Sequence, residues 1–200
     1  MNQDRKKGSE VDEVLKTRPI VLADRDGTLI RHVPYLSNLS DVEFLPGVIS
    51  ALRRLNSLNV PVVVVTNQSG VARGFFGEDF VRETHSYMNA ALGKEGVHLD
   101  GLFYCPHLKE AEVEVYRVSC GCRKPLPGML EEALKNFHGD PGSSMMVGDS
   151  EGDVLAGKSL GCHNFWIVPD EAGKRDDLAF RVASFEEAVN LFLSMPGIVR

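Results

Sequence analysis

The chain lacks the features that would mark a membrane, secreted or nucleic-acid-binding protein. Its longest apolar run, residues 60–65, is interrupted by Pro61, far short of the ~20 apolar residues a membrane span needs. No apolar segment follows the charged start Asp4-Arg5-Lys6-Lys7, so no secretory signal is expected and the cytoplasm is the default compartment. A basic excess is missing too: 22 Lys and Arg against 28 Asp and Glu leave a formal net charge of −6. That is the wrong sign for holding a phosphate backbone, and neither nucleic acid nor membrane is expected as a partner. Repeats and low-complexity segments are absent. Cysteine is scarce, with four in the chain, which in a cytoplasmic protein points to free, catalytic or metal-bound thiols rather than disulfides.

What is present reads as one globular domain. Hydrophobic residues make up 43% and charged residues 25% of 200, ordinary values for a chain able to bury roughly 70% of its unfolded surface. Residues 1–18 read as a polar tail with one helical turn near 11–15, and residues 19–200 as a single domain. Short β-branched runs at 20–23, 62–66, 102–105, 145–147 and 165–168 alternate with amphipathic stretches at 47–58, 78–92, 128–137, 153–160 and 185–193. Such alternation predicts an α/β fold, a Rossmann-like parallel sheet flanked by helices. One interval breaks the pattern: residues 106–127 show no periodicity, and a loop of that length is usually functional or held by something other than a core.

Ligands bind an open parallel sheet outside the carboxyl ends of its strands. The polar residues expected there are Asp24, Arg25, Asp26 and Thr28, then Thr66, Asn67, Gln68 and Ser69, then Arg123 and Lys124, then Asp149. Asp24 and Asp26 are two apart and can face one crevice, with Gly27 permitting a sharp turn. Three carboxylates in one crevice repel each other and any phosphate, so a cation is required, and an oxygen-only set suits Mg²⁺. Alone, Asp-x-Asp-Gly is an ordinary solvated turn, and Lys124 and Thr66 an ordinary surface lysine and strand cap. Their order along successive strand ends is what gives them meaning. Arg73 could reach the same rim.

These four ordered segments, Asp24-x-Asp26-Gly27-Thr28, Thr66-Asn67, Lys124 and Gly148-Asp149, resemble the motifs of the haloacid-dehalogenase-like phosphohydrolases. The resemblance implies that Asp24 attacks phosphorus to form an aspartyl-phosphate, splitting one hard step into two. It implies that Asp26 protonates the leaving alkoxide and later serves as base. Mg²⁺ would be held by the Asp24 carboxylate, the Asp26 backbone carbonyl and Asp149. Thr66 and Lys124 would stabilise the phosphoryl oxygens.

The aperiodic interval carries Cys105-Pro106-His107 and Cys120-Gly121-Cys122. Three thiols and an imidazole form a closed tetrahedral set, which for zinc is structural rather than catalytic. The ion would replace the core that a loop over about 105–122 lacks, and it would place Arg123 and Lys124 directly after a ligand. A disulfide is the competing reading. Cys162 stands apart as an inert buried thiol.

Together with Asp24-Arg25-Asp26-Gly27-Thr28 and Thr66-Asn67-Gln68-Ser69-Gly70, this second motif resembles the heptose 1,7-bisphosphate 7-phosphatase branch, single-domain enzymes without a large cap. The sibling branch, histidinol-phosphate phosphatases, shares the zinc set with a shorter loop. The resemblance implies a small phosphorylated sugar as substrate and a monomer, with Arg25, His32, Tyr35, Thr66, Asn67, Gln68, Ser69, Arg123 and Lys124 lining or binding that substrate. Ser150 stands where the family often has a basic residue, Ile30 where Asn is frequent, and residues 165–170 replace a usual strand ending. A catalytically silent module that binds a phosphorylated ligand is the alternative from another class.

Overall fold

The computed structural model describes residues 17–198; the helical turn expected near 11–15 lies outside the described residues. Six strands form one parallel sheet: β1 (Val21–Ala23), β2 (Val62–Asn67), β3 (Gly101–Cys105), β4 (Met145–Gly148), β5 (His163–Ile167) and β6 (Phe180–Val182). Their order is β3-β2-β1-β4-β5-β6. The chain winds outward from β1 to β3, then returns to the other side of β1 and winds outward again. The order reverses at β1, and a crevice opens there at the carboxyl ends of the strands.

Period-two alternation divides the sheet's side chains between two cores. Val21, Ala23, Val62, Val64, Met145 and Val147 face one side, and Leu22, Val63, Val65 and Met146 the other. Continuous apolar runs are what a strand buried on both faces requires. The first face is covered by α1 (Val48–Ser57), α3 (Glu78–Lys94) and α6 (Phe185–Ser194), the second by α4 (Gly128–Asn136) and α5 (Glu151–Leu160). The short α2 (Ser69–Ala72) follows β2. Among the described residues no helix is long and apolar enough to cross a membrane.

The five expected strands and five expected helices all form. Two elements were not expected: α2, too short for a periodic signal, and β6, a half-buried edge strand of three residues. α5 also begins two residues earlier than its apolar pattern suggests, because Ser150 and Asp153 form a capping box at its start, satisfying backbone donors that the helix cannot. The interval 106–127 holds only one 3₁₀ turn, Glu114–Tyr116.

Candidate active site

Asp24 is the first residue beyond β1. Its backbone N–H donates to Val147 O at 2.9 Å, which locks this residue to the end of β4. The chain then reverses through Gly27, whose φ of +80° is left-handed and whose hydrogen faces the Asp149 carboxylate. A β-carbon at position 27 would lie 2.0 Å from Asp149 Oδ2, so glycine is required both by conformation and by space.

Lys124 reaches this point from the long loop, and it is one of the most buried charges in the molecule, 5% exposed. Its Nζ donates to Asp24 Oδ1 at 2.7 Å and to Val65 O at 2.6 Å, and it pairs with Asp153 Oδ1 at 2.5 Å. Its backbone is clamped by Asn67, whose Nδ2 donates to Lys124 O at 3.0 Å and whose Oδ1 accepts from Lys124 N at 3.1 Å. Asp153 is a site residue that the sequence reading missed. The available signal was the Ser150-x-x-Asp153 spacing, a capping pattern that ties Asp153 to the turn carrying Asp149. Its second oxygen accepts from Ser150 N at 3.0 Å and Ser150 Oγ at 2.6 Å.

Asp26 is held on both oxygens. Arg25 Nη2 lies 3.2 Å from Oδ1 and 2.9 Å from Oδ2, and Gln68 Nε2 donates to Oδ2 at 2.9 Å. The same Gln68 nitrogen donates to Thr66 Oγ1 at 2.9 Å, tying the two residues together. Asp24, Asp26, Thr66 and Asp149 open onto a cavity of about 460 Å³. Arg25, His32, Tyr35, Asn67, Gln68 and Ser69 also line it, as does Ser150. Arg123 does not line it: its guanidinium donates to His107 O at 3.3 Å, back within the loop. Arg73 lies over the Tyr35 ring, 5.8 Å from its centroid.

Electrostatics set what this site can hold. Burial pushes the Asp24 carboxyl up to about 7; Lys124 opposes the shift, and the charges of Asp153 and Asp26 add to it. Burial works against the Lys124 ammonium, yet Asp24 and Asp153 outweigh it and hold its pKa above the ordinary value. Asp149 reaches solvent but is crowded by protein at its base, which raises its pKa, with the Asp153 charge contributing. Carboxylate oxygens of Asp24, Asp149 and Asp153 lie within 4.8 Å of one another. Once all three are ionised, three carboxylates against one ammonium leave an excess of two negative charges. An oxygen-ligated divalent cation fits that excess and that donor set.

The second cluster lies at the end of β3. Cys105, His107, Cys120 and Cys122 present Sγ or Nδ1 atoms within 4.8 Å of one another. Cys105 Sγ is 3.5 Å from Cys120 Sγ and 3.2 Å from Cys122 Sγ, and His107 Nδ1 is 3.3 Å from Cys122 Sγ. Sulfurs around one zinc at about 2.3 Å would be roughly 3.8 Å apart, so the quartet needs only a small expansion to fit the ion. All four cysteines are free thiols. Cys162 is buried away from this cluster, and burial pushes its thiol up to about 12.

Sheet order and crevice place the chain in the α/β class, with a buried lysine gripping a strand-end carboxylate at the mouth of a charged cavity. Residues 32–161 match the model of the haloacid dehalogenase-like hydrolase family, and the chain belongs to that family. It is 44% identical over 148 residues, 74% of this chain and 80% of the other, to the D-glycero-β-D-manno-heptose-1,7-bisphosphate 7-phosphatase of Pasteurella multocida. It is 43% identical over 141 residues, 70% of this chain and 74% of the other, to the protein of that name from Escherichia coli K12. Among solved structures it is similar to D,D-heptose 1,7-bisphosphate phosphatase from B. bronchiseptica complexed with magnesium and phosphate. That similarity has a TM-score of 0.76 and 28% identity and covers 88% of this chain and 98% of the other.

Proposed function

We propose that this chain removes the C7 phosphate of D-glycero-D-manno-heptose 1,7-bisphosphate through a covalent phospho-Asp24. The observation that carries this reading is the contact between Lys124 Nζ and Asp24 Oδ1 at 2.7 Å, a buried cation placed where a phosphoryl oxygen and its nucleophile must meet. The names of the relatives at 43–44% identity support the substrate.

Asp24 offers the oxygen not engaged by Lys124 to phosphorus. As the new P–O bond forms and the bond to the sugar oxygen breaks, Asp26 delivers the proton that the leaving alkoxide needs. Arg25 and Gln68 hold the Asp26 carboxyl in place from two sides. The Thr66 hydroxyl and Lys124 ammonium grip the phosphoryl oxygens. Asp26 then takes a proton from the water that cleaves the phospho-aspartate and returns Asp24. Mg²⁺, held by the Asp24 carboxylate, the Asp26 backbone carbonyl and Asp149, would supply neutralising charge to the phosphoryl oxygens. Zinc held by Cys105, His107, Cys120 and Cys122 would fix the loop that delivers Lys124. His32, Tyr35, Asn67 and Ser69 line the cavity where the sugar would sit, whereas Arg123 turns back to His107 O and lies outside it.

Phosphate release from the heptose bisphosphate, from sugar monophosphates and from histidinol phosphate tests this reading. The expected kcat/KM for the bisphosphate exceeds the others at least a hundredfold, about 2.7 kcal/mol of transition-state discrimination. The Asp24→Asn variant is expected to fold and show no turnover. Full activity in that variant removes Asp24 as nucleophile, and a preference for histidinol phosphate moves the chain to the sibling branch.

A further inference from the structure

The chain has one tryptophan, and it is tied to the metal pocket. Trp166 stands on β5 opposite Gly148 of β4, and its indole N–H donates to the backbone carbonyl of Asp149 at 3.0 Å. Asp149 lies just past the end of β4, where the ladder between strands stops. Among the described residues no neighbouring residue's hydrogen bond holds the Asp149 carboxylate; its one backbone contact is with its own N–H, so its direction depends on the peptide that carries it. Gly27 limits that carboxylate on one side only.

The indole is braced in turn. Arg181 is its register partner on β6, and the guanidinium stacks over the ring 4.1 Å from the centroid. Arg181 is anchored by Asp176 at 2.7 Å and Glu171 at 3.5 Å. A chain of contacts therefore runs from an acidic loop through Arg181 and Trp166 to Asp149, across the outer half of the sheet. An aliphatic side chain at 166 would fill the space and could not donate.

We propose that Trp166, backed by Arg181, is a positioning residue that fixes the Asp149 peptide and thereby aims its carboxylate at the divalent cation. The proposal rests on the metal reading given under Proposed function and adds a support that reading does not contain. Groups that orient a metal ligand without touching the ion commonly change metal affinity by an order of magnitude or more. Here the support acts through one backbone hydrogen bond, so the lower end of that range applies.

The test is a calorimetric titration of the full chain with Mg²⁺ alone. Trp166→Phe keeps a ring beneath Arg181 and removes the donor. Its Mg²⁺ dissociation constant is expected to rise five- to tenfold, about 1–1.4 kcal/mol. At saturating Mg²⁺ its kcat stays within about twofold of wild type, while the Mg²⁺ concentration for half-maximal rate rises by the same factor as the dissociation constant. Arg181→Met leaves the indole in place and is expected to weaken Mg²⁺ about threefold. Wild-type tryptophan emission is expected to shift over the concentrations at which calorimetry shows binding. Unchanged affinity in Trp166→Phe and Arg181→Met overturns the proposal, as does an emission blind to Mg²⁺. Asp149→Asn separates the two levels: wild-type Mg²⁺ binding in that variant overturns the metal reading and the proposal with it, whereas lost binding there beside unchanged affinity in Trp166→Phe overturns the proposal alone.

Discussion

Replacing Asp153 with asparagine tests how the buried charges are balanced. Both oxygens of Asp153 accept: Oδ1 from the Lys124 ammonium at 2.5 Å and Oδ2 from Ser150 N and Oγ at 3.0 and 2.6 Å. An amide has one acceptor end and one donor end: turned toward Lys124 its NH₂ faces the ammonium, and turned toward Ser150 it faces the Ser150 N–H, although Ser150 Oγ can accept from it. The residue is 1% exposed, and water cannot relieve that clash. An unsatisfied buried donor costs about 1–3 kcal/mol, and the ammonium loses one of its two countercharges, a change worth about 3–5 kcal/mol when a buried pair is broken completely. Lys124 keeps Asp24 and Val65 O, so only part of that second figure applies. Relief of repulsion is small, because the Asp24 carboxyl, pushed up to about 7, already takes up protons near neutrality. The net expectation is a loss of about 2–4 kcal/mol. At 2–4 °C per kcal/mol for a chain of this length, thermal unfolding followed by circular dichroism without added Mg²⁺ should shift down by about 4–16 °C. Asp149→Asn is the comparison: its carboxylate reaches solvent and should leave the midpoint within about 2 °C while abolishing Mg²⁺ binding. An Asp153→Asn protein that melts with wild type would refute the account of Lys124 as a lysine held by two buried carboxylates.

Two further outcomes follow from the same geometry. Stripping zinc with a strong chelator, or Cys120→Ser, is expected to lower the unfolding midpoint and abolish turnover together, because the loop between residues 105 and 122 has almost no core and carries Lys124; metal analysis should find one zinc per chain, and a chelated protein with full activity would separate loop from catalysis. The raised Asp24 pKa predicts that metal-free wild type loses stability relative to Asp24→Asn as pH rises. The folded carboxyl keeps its proton up to about 7 while the unfolded one loses it near 3.8, so this contribution is fully present below 3.8 and is lost as pH passes through 7. Denaturant midpoints of the two proteins measured from pH 4 to 8 check this, and parallel pH dependences would contradict it.

Much of this architecture is legible in the linear chain. Val62–Val65 are apolar without alternation because both faces of β2 are covered, and that local pattern already implies a parallel sheet. Asp24 and Asp149 directly follow strands, Thr66 stands near the carboxyl end of β2 and Lys124 comes beyond the loop after β3, and the topology of such a sheet brings strand ends to one rim. The Cys-His quartet was legible from spacing and from the failure of periodicity around it. Asp153, Trp166 and Arg181 were not, each for a stated reason. Asp153 sits inside a capping box and reads as an ordinary helix start. Trp166 reads as one more apolar residue on a buried strand, and Arg181 belongs to an edge strand too short to show a period.

Local chain properties, the period of the apolar residues and the chemistry at element ends, were therefore set by sequence alone, since they depend on neighbours within a few positions. Which carboxylate grips Lys124, which carbonyl receives the indole N–H, and that Arg123 turns back toward His107 were decided only in three dimensions. Those contacts join residues from 16 to 100 positions apart, and their energies depend on burial and distance, which no local pattern encodes.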